Sequence, residues 1–204
     1  KKANSGDLKG AIEDFTKSIA ANPNQVISHH DRALARKLSK DYKGAIEDYT
    51  KVIELNNEIK GEDNKWTESI YLERGYCKFL VEDDEGAITD YTKVVEYNPE
   101  SYIGFGRRGI VNNFIGDHKK AVFDFRKALD FYYENDEYEL NKIILYMKSG
   151  DSKFALEDFE GARFDTNEAI LLNSEKQILK KSSLSELYEQ LGCINTCLDK
   201  KDEA

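Results

Sequence analysis

Apolar side chains recur three and four positions apart over long stretches of this chain, with charged residues of both signs between them, which is the period of an amphipathic helix and not of a strand. Leu184, Leu187, Leu191, Ile194 and Leu198 show it near the C-terminal end. A whole phrase also recurs: Gly10-Ala-Ile-Glu-Asp-Phe-Thr-Lys, Gly44-Ala-Ile-Glu-Asp-Tyr-Thr-Lys, Gly86-Ala-Ile-Thr-Asp-Tyr-Thr-Lys, Lys120-Ala-Val-Phe-Asp-Phe-Arg-Lys and Gly161-Ala-Arg-Phe-Asp-Thr-Asn-Glu. Its alanines stand at 11, 45, 87, 121 and 162, in steps of 34, 42, 34 and 41. The unit is thus about 34 residues long, and additions of seven or eight fit two extra helical turns.

A second apolar stretch precedes the phrase in each unit, as in Arg74-Gly75-Tyr-Cys-Lys-Phe-Leu-Val and Arg108-Gly109-Ile-Val-Asn-Asn-Phe-Ile, so each unit carries two helices. Ala33, Gly75, Gly109 and Gly150 lie 12 before the repeat alanines, and a fixed pair of small residues lets two helices approach closely. Phe15, Tyr49, Tyr91 and Phe125 stand four after a repeat alanine, on the same helix face. The turns fall at Gly6-Asp7, Lys40-Asp41, Glu82-Asp83, Gly116-Asp117 and Glu157-Asp158, with each aspartate placed to cap the second helix. The two prolines, Pro23 and Pro99, end second helices without breaking them.

These units resemble the tetratricopeptide repeat, a 34-residue helix pair with a small residue, an aromatic and a proline at matching places. Asn57 and Ser174 stand where that pattern has proline, and Asp84 and His118 where it has an aromatic after the turn. The resemblance implies an all-α fold, a right-handed superhelix (α-solenoid) of antiparallel helix-turn-helix repeats with the first helices on its inner wall. It divides a single array into a partial repeat at 1–24, repeats at 26–67, 68–101 and 102–142, a divergent repeat at 143–182, and a capping helix or the start of a further repeat at 183–204. Ala204 falls where a next repeat alanine belongs and Lys1 only ten before Ala11, so the chain is expected to be a window on a longer array.

Composition narrows the function. A net charge of −9 argues against general phosphate binding, hence against nucleic acid. No apolar run reaches the roughly 20 residues of a membrane-spanning helix. Mixed-sign runs such as Lys40 to Asp48 read as solvated helix faces. Cys77, Cys193 and Cys197 lack metal-site spacing and read as small buried residues in a reducing compartment, which favours the cytoplasm. His29 and His30 are adjacent on one helix, His118 is at a turn, and none has a metal-spaced partner. Gly104-x-Gly106 is no phosphate loop, and is expected to reflect close helix packing or a softened helix start. No cofactor, metal or catalytic constellation is expected, and the chain reads as non-enzymatic.

By that resemblance, inner-wall positions two before the small residue are Asp31, Glu73, Arg107 and Lys148; one after it come Leu34, Tyr76, Ile110 and Asp151, and four or five after it Phe79, Leu80, Asn113 and Phe114. The expected site is a groove acidic at Asp31 and Glu73, basic at Arg107 and Lys148, and apolar at Tyr76, Phe79, Ile110 and Phe114, taking a protein or peptide segment. Family members that clamp a C-terminal carboxylate use asparagines where Asp31 and Glu73 stand, so the resemblance implies that such a clamp is not used here. The alternatives are an array that self-associates through its open ends, giving a homo-oligomer, and a recruiting module of a longer multidomain protein.

Overall fold

The computed structural model describes residues 7–59, 64–132, 139–177 and 179–202. Lys1, Gly6 and Ala204, on which expectations were placed, lie outside them. The described residues form ten α-helices and no strand, so the fold is all-α. The helices are α1 (Leu8–Ala21), α2 (Val26–Leu38), α3 (Tyr42–Ile59), α4 (Asn64–Leu80) and α5 (Asp84–Tyr97), then α6 (Tyr102–Phe114), α7 (His118–Asp130), α8 (Glu139–Ala155), α9 (Phe159–Lys176) and α10 (Lys181–Asp202). They gather into two compact units, α1 to α5 in residues 1–99 and α6 to α10 in residues 100–204.

In α1, α3, α5 and α9, helix length follows the prolines. α1 and α5 end at Ala21 and Tyr97, two residues before Pro23 and Pro99. Where Asn57 and Ser174 replace proline, α3 and α9 run on to Ile59 and Lys176 and reach 18 residues each, against 14 for α1 and α5. The longer repeat step between Ala45 and Ala87 is therefore taken up by helix: α4 has 17 residues where α2 has 13.

The turn within each pair has one construction. Lys40, Glu82, Gly116 and Glu157 adopt left-handed backbone, with φ of 66°, 65°, 84° and 60°. The amide that follows each of them reaches back five residues, Asp41 to Arg36, Asp83 to Lys78, Asp117 to Asn112 and Asp158 to Lys153, at 2.8–2.9 Å, which satisfies a carbonyl orphaned at the helix end. That same aspartate then caps the second helix. Asp7, Asp41, Asp83 and Asp158 accept from the amides of Gly10, Gly44, Gly86 and Gly161 at 2.7–3.0 Å. A Cβ on those glycines would fall 2.1–2.3 Å from the capping carboxylate. Lys120 carries a Cβ at that place, and its bond to Asp117 lengthens to 3.3 Å.

The small residues seat the aromatics. A Cβ on Gly75 would meet the Tyr91 ring at 2.9 Å, and one on Gly109 would meet Phe125 at 2.9 Å. Ala33, Tyr49, Tyr91 and Phe125 are all but fully buried, as are the repeat alanines Ala45, Ala87, Ala121 and Ala162. In the last full pair Thr166 takes the aromatic's place opposite Gly150, and α10 covers Ala162 with Ile194 and Leu198 and meets α8 and α9 through Leu187.

Beside each seat lies a buried ion pair, which corrects the reading of the mixed-sign runs as solvated at one position: Lys40, Asp41, Lys43 and Glu47 are exposed, but Asp48 is not. Asp48, Asp90, Asp124 and Asp165 of the repeated phrase are only 1–2% exposed. Arg32 grips Asp48 with two nitrogens at 2.6 and 2.9 Å, Arg74 grips Asp90 at 2.7 and 2.8 Å, and Arg108 grips Asp124 at 2.7 and 2.9 Å. A residue four further on adds a second contact: Arg36 to Asp48 at 2.9 Å, Lys78 to Asp90 at 3.1 Å and Asn112 to Asp124 at 3.1 Å. Ser149 stands at the arginine place in α8, and Lys153 alone pairs with Asp165, at 2.7 Å. In the first unit the arginine also reaches the preceding second helix, Arg32 to Thr16 at 3.1 Å and Arg74 to Thr50 at 3.0 Å.

Two outcomes follow for stability. Glycine at Lys40, Glu82 or Glu157 should raise the unfolding free energy measured in urea by about 0.5–1 kcal/mol each, and Gly116→Ala should lower it by ~1 kcal/mol, because left-handed backbone disfavours a side chain by roughly that much. Asp90→Ala strands Arg74 and Lys78 and is expected to cost about 3 kcal/mol, the low end for a broken buried pair because both cations keep some access to water. Asp14→Ala, the same position on α1 but 80% exposed, should change stability by less than about 0.5 kcal/mol in the same melts.

Candidate functional site

The expected wall residues divide between the two units: Asp31 and Leu34 on α2 and Glu73, Tyr76 and Phe79 on α4, then Arg107, Ile110 and Phe114 on α6 and Lys148 on α8. In the first unit, Glu73 is held by the ammonium of Lys37, which ties α2 to α4, and Asp31 bonds the ring of its neighbour His30 at 3.0 Å. Both acids are thus partly satisfied within the fold. Leu34 is exposed, while Tyr76 and Phe79 are half-buried.

In the second unit, Lys148 is engaged by Asp151 one turn on, at 2.9 Å. Further polar ties join neighbouring first-type helices there: Ser152 of α8 donates to Asn113 of α6 at 2.9 Å, and Gln190 of α10 donates to Asp151 at 2.7 Å. Phe114 is 68% exposed at the end of α6. Arg107 and Ile110 share a cavity. It measures about 320 Å³ and lies between α6 and α8, with Tyr102, Ile103 and Gly106 beside them on α6 and Ile144 and Leu145 on α8.

The glycine run builds that cavity. Ser101 caps α6 by accepting from the Gly104 amide at 3.2 Å, and a Cβ on Gly106 would come within 3.0 Å of Leu145. Close helix approach, one of the two expectations for Gly104-x-Gly106, is therefore what Gly106 serves. Phe105 points the other way and is buried, stacked on Phe131 at 6.1 Å with the Arg108 guanidinium over its ring. The cavity wall is aliphatic and tyrosyl, and Arg107 is its charged member.

Among the described residues no group of three or more His, Cys, Asp or Glu side chains is placed to hold a metal ion. His29 is buried and donates from Nε2 to the Pro23 carbonyl at 2.9 Å. Cys77 is buried as expected, but Cys193 is exposed and Cys197 only half-buried, which corrects the reading of that pair as buried. The reason is the face α10 presents: Leu187, Ile194 and Leu198 point inward and Cys193 sits beside that stripe. No helix of the described residues is long and apolar enough to cross a membrane.

A stack of helix pairs with small-residue seats and an interhelical cavity defines a helical-repeat protein. Residues 27–59 match the tetratricopeptide repeat model, and the chain as a whole shares the helical-repeat fold of solved tetratricopeptide-repeat structures. No curated protein matches it by sequence. Among solved structures it is similar to MamA, at 20% identity over 85% of this chain and 93% of that one, with a TM-score of 0.72. It is also similar to BtubC (BKLC) from P. vanneervenii, at 14% identity over 94% and 82% of the two chains with a TM-score of 0.74. A third is YrrB, described as a TPR protein with an unusual peptide-binding site, at 15% identity over 83% and 80%, TM-score 0.66.

Burial pushes the Cys77 thiol up to about 11. At neutral pH a maleimide should therefore label Cys193 first and Cys197 more slowly, while Cys77 reacts only when the fold is opened by denaturant. Peptide mapping by mass spectrometry after timed quenching would read the order.

Proposed function

We propose that this chain is a protein-interaction scaffold whose second unit takes an apolar side chain of a protein or peptide segment into the cavity between α6 and α8. The observation that carries the reading is the cavity: about 320 Å³, with aliphatic walls from Ile103, Ile110, Ile144 and Leu145. That volume suits one bulky aliphatic or aromatic side chain, and desolvating such a group favours binding by roughly 1.5–3 kcal/mol. Arg107 at the same cavity favours a carboxylate on the segment next to the apolar anchor. The exposed Phe114, four beyond Ile110 on α6, extends the apolar surface along the helix. The peptide-binding site of YrrB, a neighbour in fold, supports the choice of a peptide as occupant.

Peptides selected from a random display library against the wild-type chain should be enriched in a leucine, isoleucine or phenylalanine flanked by aspartate or glutamate. Ile110→Asp places a charge in the cavity wall and should weaken those peptides at least about tenfold in fluorescence anisotropy, with helix content retained. Arg107→Glu should weaken the acidic ones selectively. Equal affinity for wild type and Ile110→Asp would remove the cavity from the function.

A further inference from the structure

The solvent face of α7 departs from that of the other second helices. Two places after the repeat alanine, α1, α3 and α5 carry Glu13, Glu47 and Thr89, whereas α7 carries Phe123, which is 56% exposed. Lys119 and Lys120 stand one turn before Phe123, and Arg126 and Lys127 one turn after it. At those four places α3 has Lys43, Gly44, Thr50 and Lys51, and α5 has Glu85, Gly86, Thr92 and Lys93. α9 repeats the exposed aromatic as Phe164 but sets it between Glu160 and Glu168, so the cations distinguish α7.

The fold makes little use of this face. α7 packs on α6 and α8 and turns Ala121, Asp124, Phe125 and Ala128 inward, while Lys119, Phe123 and Arg126 are exposed. Of the four cations, Lys120 pairs with Asp117 at 2.7 Å yet stays 72% exposed, and Lys127 lies over the Phe131 ring at 5.7 Å. Lys119 and Arg126 meet no carboxylate among the described residues. None of these side chains lines the cavity between α6 and α8.

We propose that this face of α7 docks an acidic segment of a partner protein, which sets an apolar side chain on Phe123 between two carboxylates. Lys119 and Arg126 are seven residues apart, which is about 10 Å along a helix, so the carboxylates of the segment are spaced by about that distance. The sign of the charge selects an acidic occupant, and its local extent selects a short one. Screening at physiological salt confines each charge to about 8 Å, so a segment lying on α7 feels the cations beside it. A bilayer or a nucleic acid spread across the surface also meets the acids of a chain whose net charge is −9, with Asp130 at the end of α7 among them.

The test selects a random peptide display library on the wild-type chain, counter-selects it on the Lys119→Glu, Arg126→Glu chain, and uses a fluorescein form of the most enriched peptide as the probe. That peptide should carry aspartate or glutamate on both sides of a leucine or an aromatic residue. In anisotropy titrations Phe123→Ser should weaken it at least about tenfold, and added sodium chloride should weaken it as well. Ile110→Asp, which alters the cavity between α6 and α8, should leave its affinity within about twofold. The α7 substitutions replace exposed side chains, so circular dichroism should show unchanged helix content. Absence of any peptide that survives counter-selection, or binding indifferent to Phe123→Ser, overturns the proposal. So does saturable binding of the wild-type chain to phosphatidylserine vesicles or to a single-stranded oligonucleotide that Lys119→Glu, Arg126→Glu abolishes, since phosphate would then be the ligand. A dimer of the unmixed chain in sedimentation that the same double substitution abolishes would make a second copy the occupant and overturns it too.

Discussion

A carboxylate taken out of water must be met by a positive charge at hydrogen-bond distance, and that requirement orders the helix pairs of this protein. Asp90 shows how. Two oxygens in a dry seam demand a planar fork, which Arg74 supplies at 2.7 and 2.8 Å, and the fork fixes both the rotation of α4 and its height along α5. With the two axes so placed, the residue next to the arginine lies over the aromatic next to the aspartate. Only a glycine or an alanine fits there, as the 2.9 Å approach of an added Cβ on Gly75 to Tyr91 shows. The polar pair therefore sets the register, while the aromatic and the small residue supply the apolar burial that the register makes possible.

The last joint tests that account. With Ser149 in the arginine place, Asp165 is served by Lys153 from the next turn, a point charge without a fork, and the aromatic gives way to Thr166. The Gly150 seat is looser in consequence: an added Cβ would meet Thr166 at 3.3 Å. The arginine and the aromatic change together, while Asp165 and Gly150 keep their places. In this pair α10 contributes to the apolar burial, through Ile194 and Leu198 around Ala162 and Leu187 against Ile143 and Ala169.

Much of the fold was legible from position alone. The repeat alanines, the aspartate caps and the prolines each act through contacts a few residues away, so a fixed spacing in the chain is a fixed spacing in space. The arginine and aspartate of the joint were as regularly spaced, 16 apart, yet Asp48 read as surface because a charge inside an alternating run has an obvious solvent role and its partner sits on another helix. The wall residues were placed by position, but what engages them was only partly legible: Lys148 meets Asp151 one turn on in its own helix, whereas the pairing of Glu73 with Lys37 depends on α2 and α4 becoming neighbours. Arg107 and Ile110 do share a cavity, and the clue to it was the Gly104-x-Gly106 run, whose meaning required knowing that Leu145 lies opposite.

Arg74 reaches backward to Thr50 on α3 as well as forward to Asp90 on α5. A single guanidinium is thus common to three successive helices, and Arg32 does the same for α1, α2 and α3. Tension applied to one helix is handed on through a rigid plane of atoms, not through a slack loop. Neighbouring repeats of the first unit therefore melt and strain as coupled partners, and the reach of that cooperation is set by how many consecutive arginines span the seam.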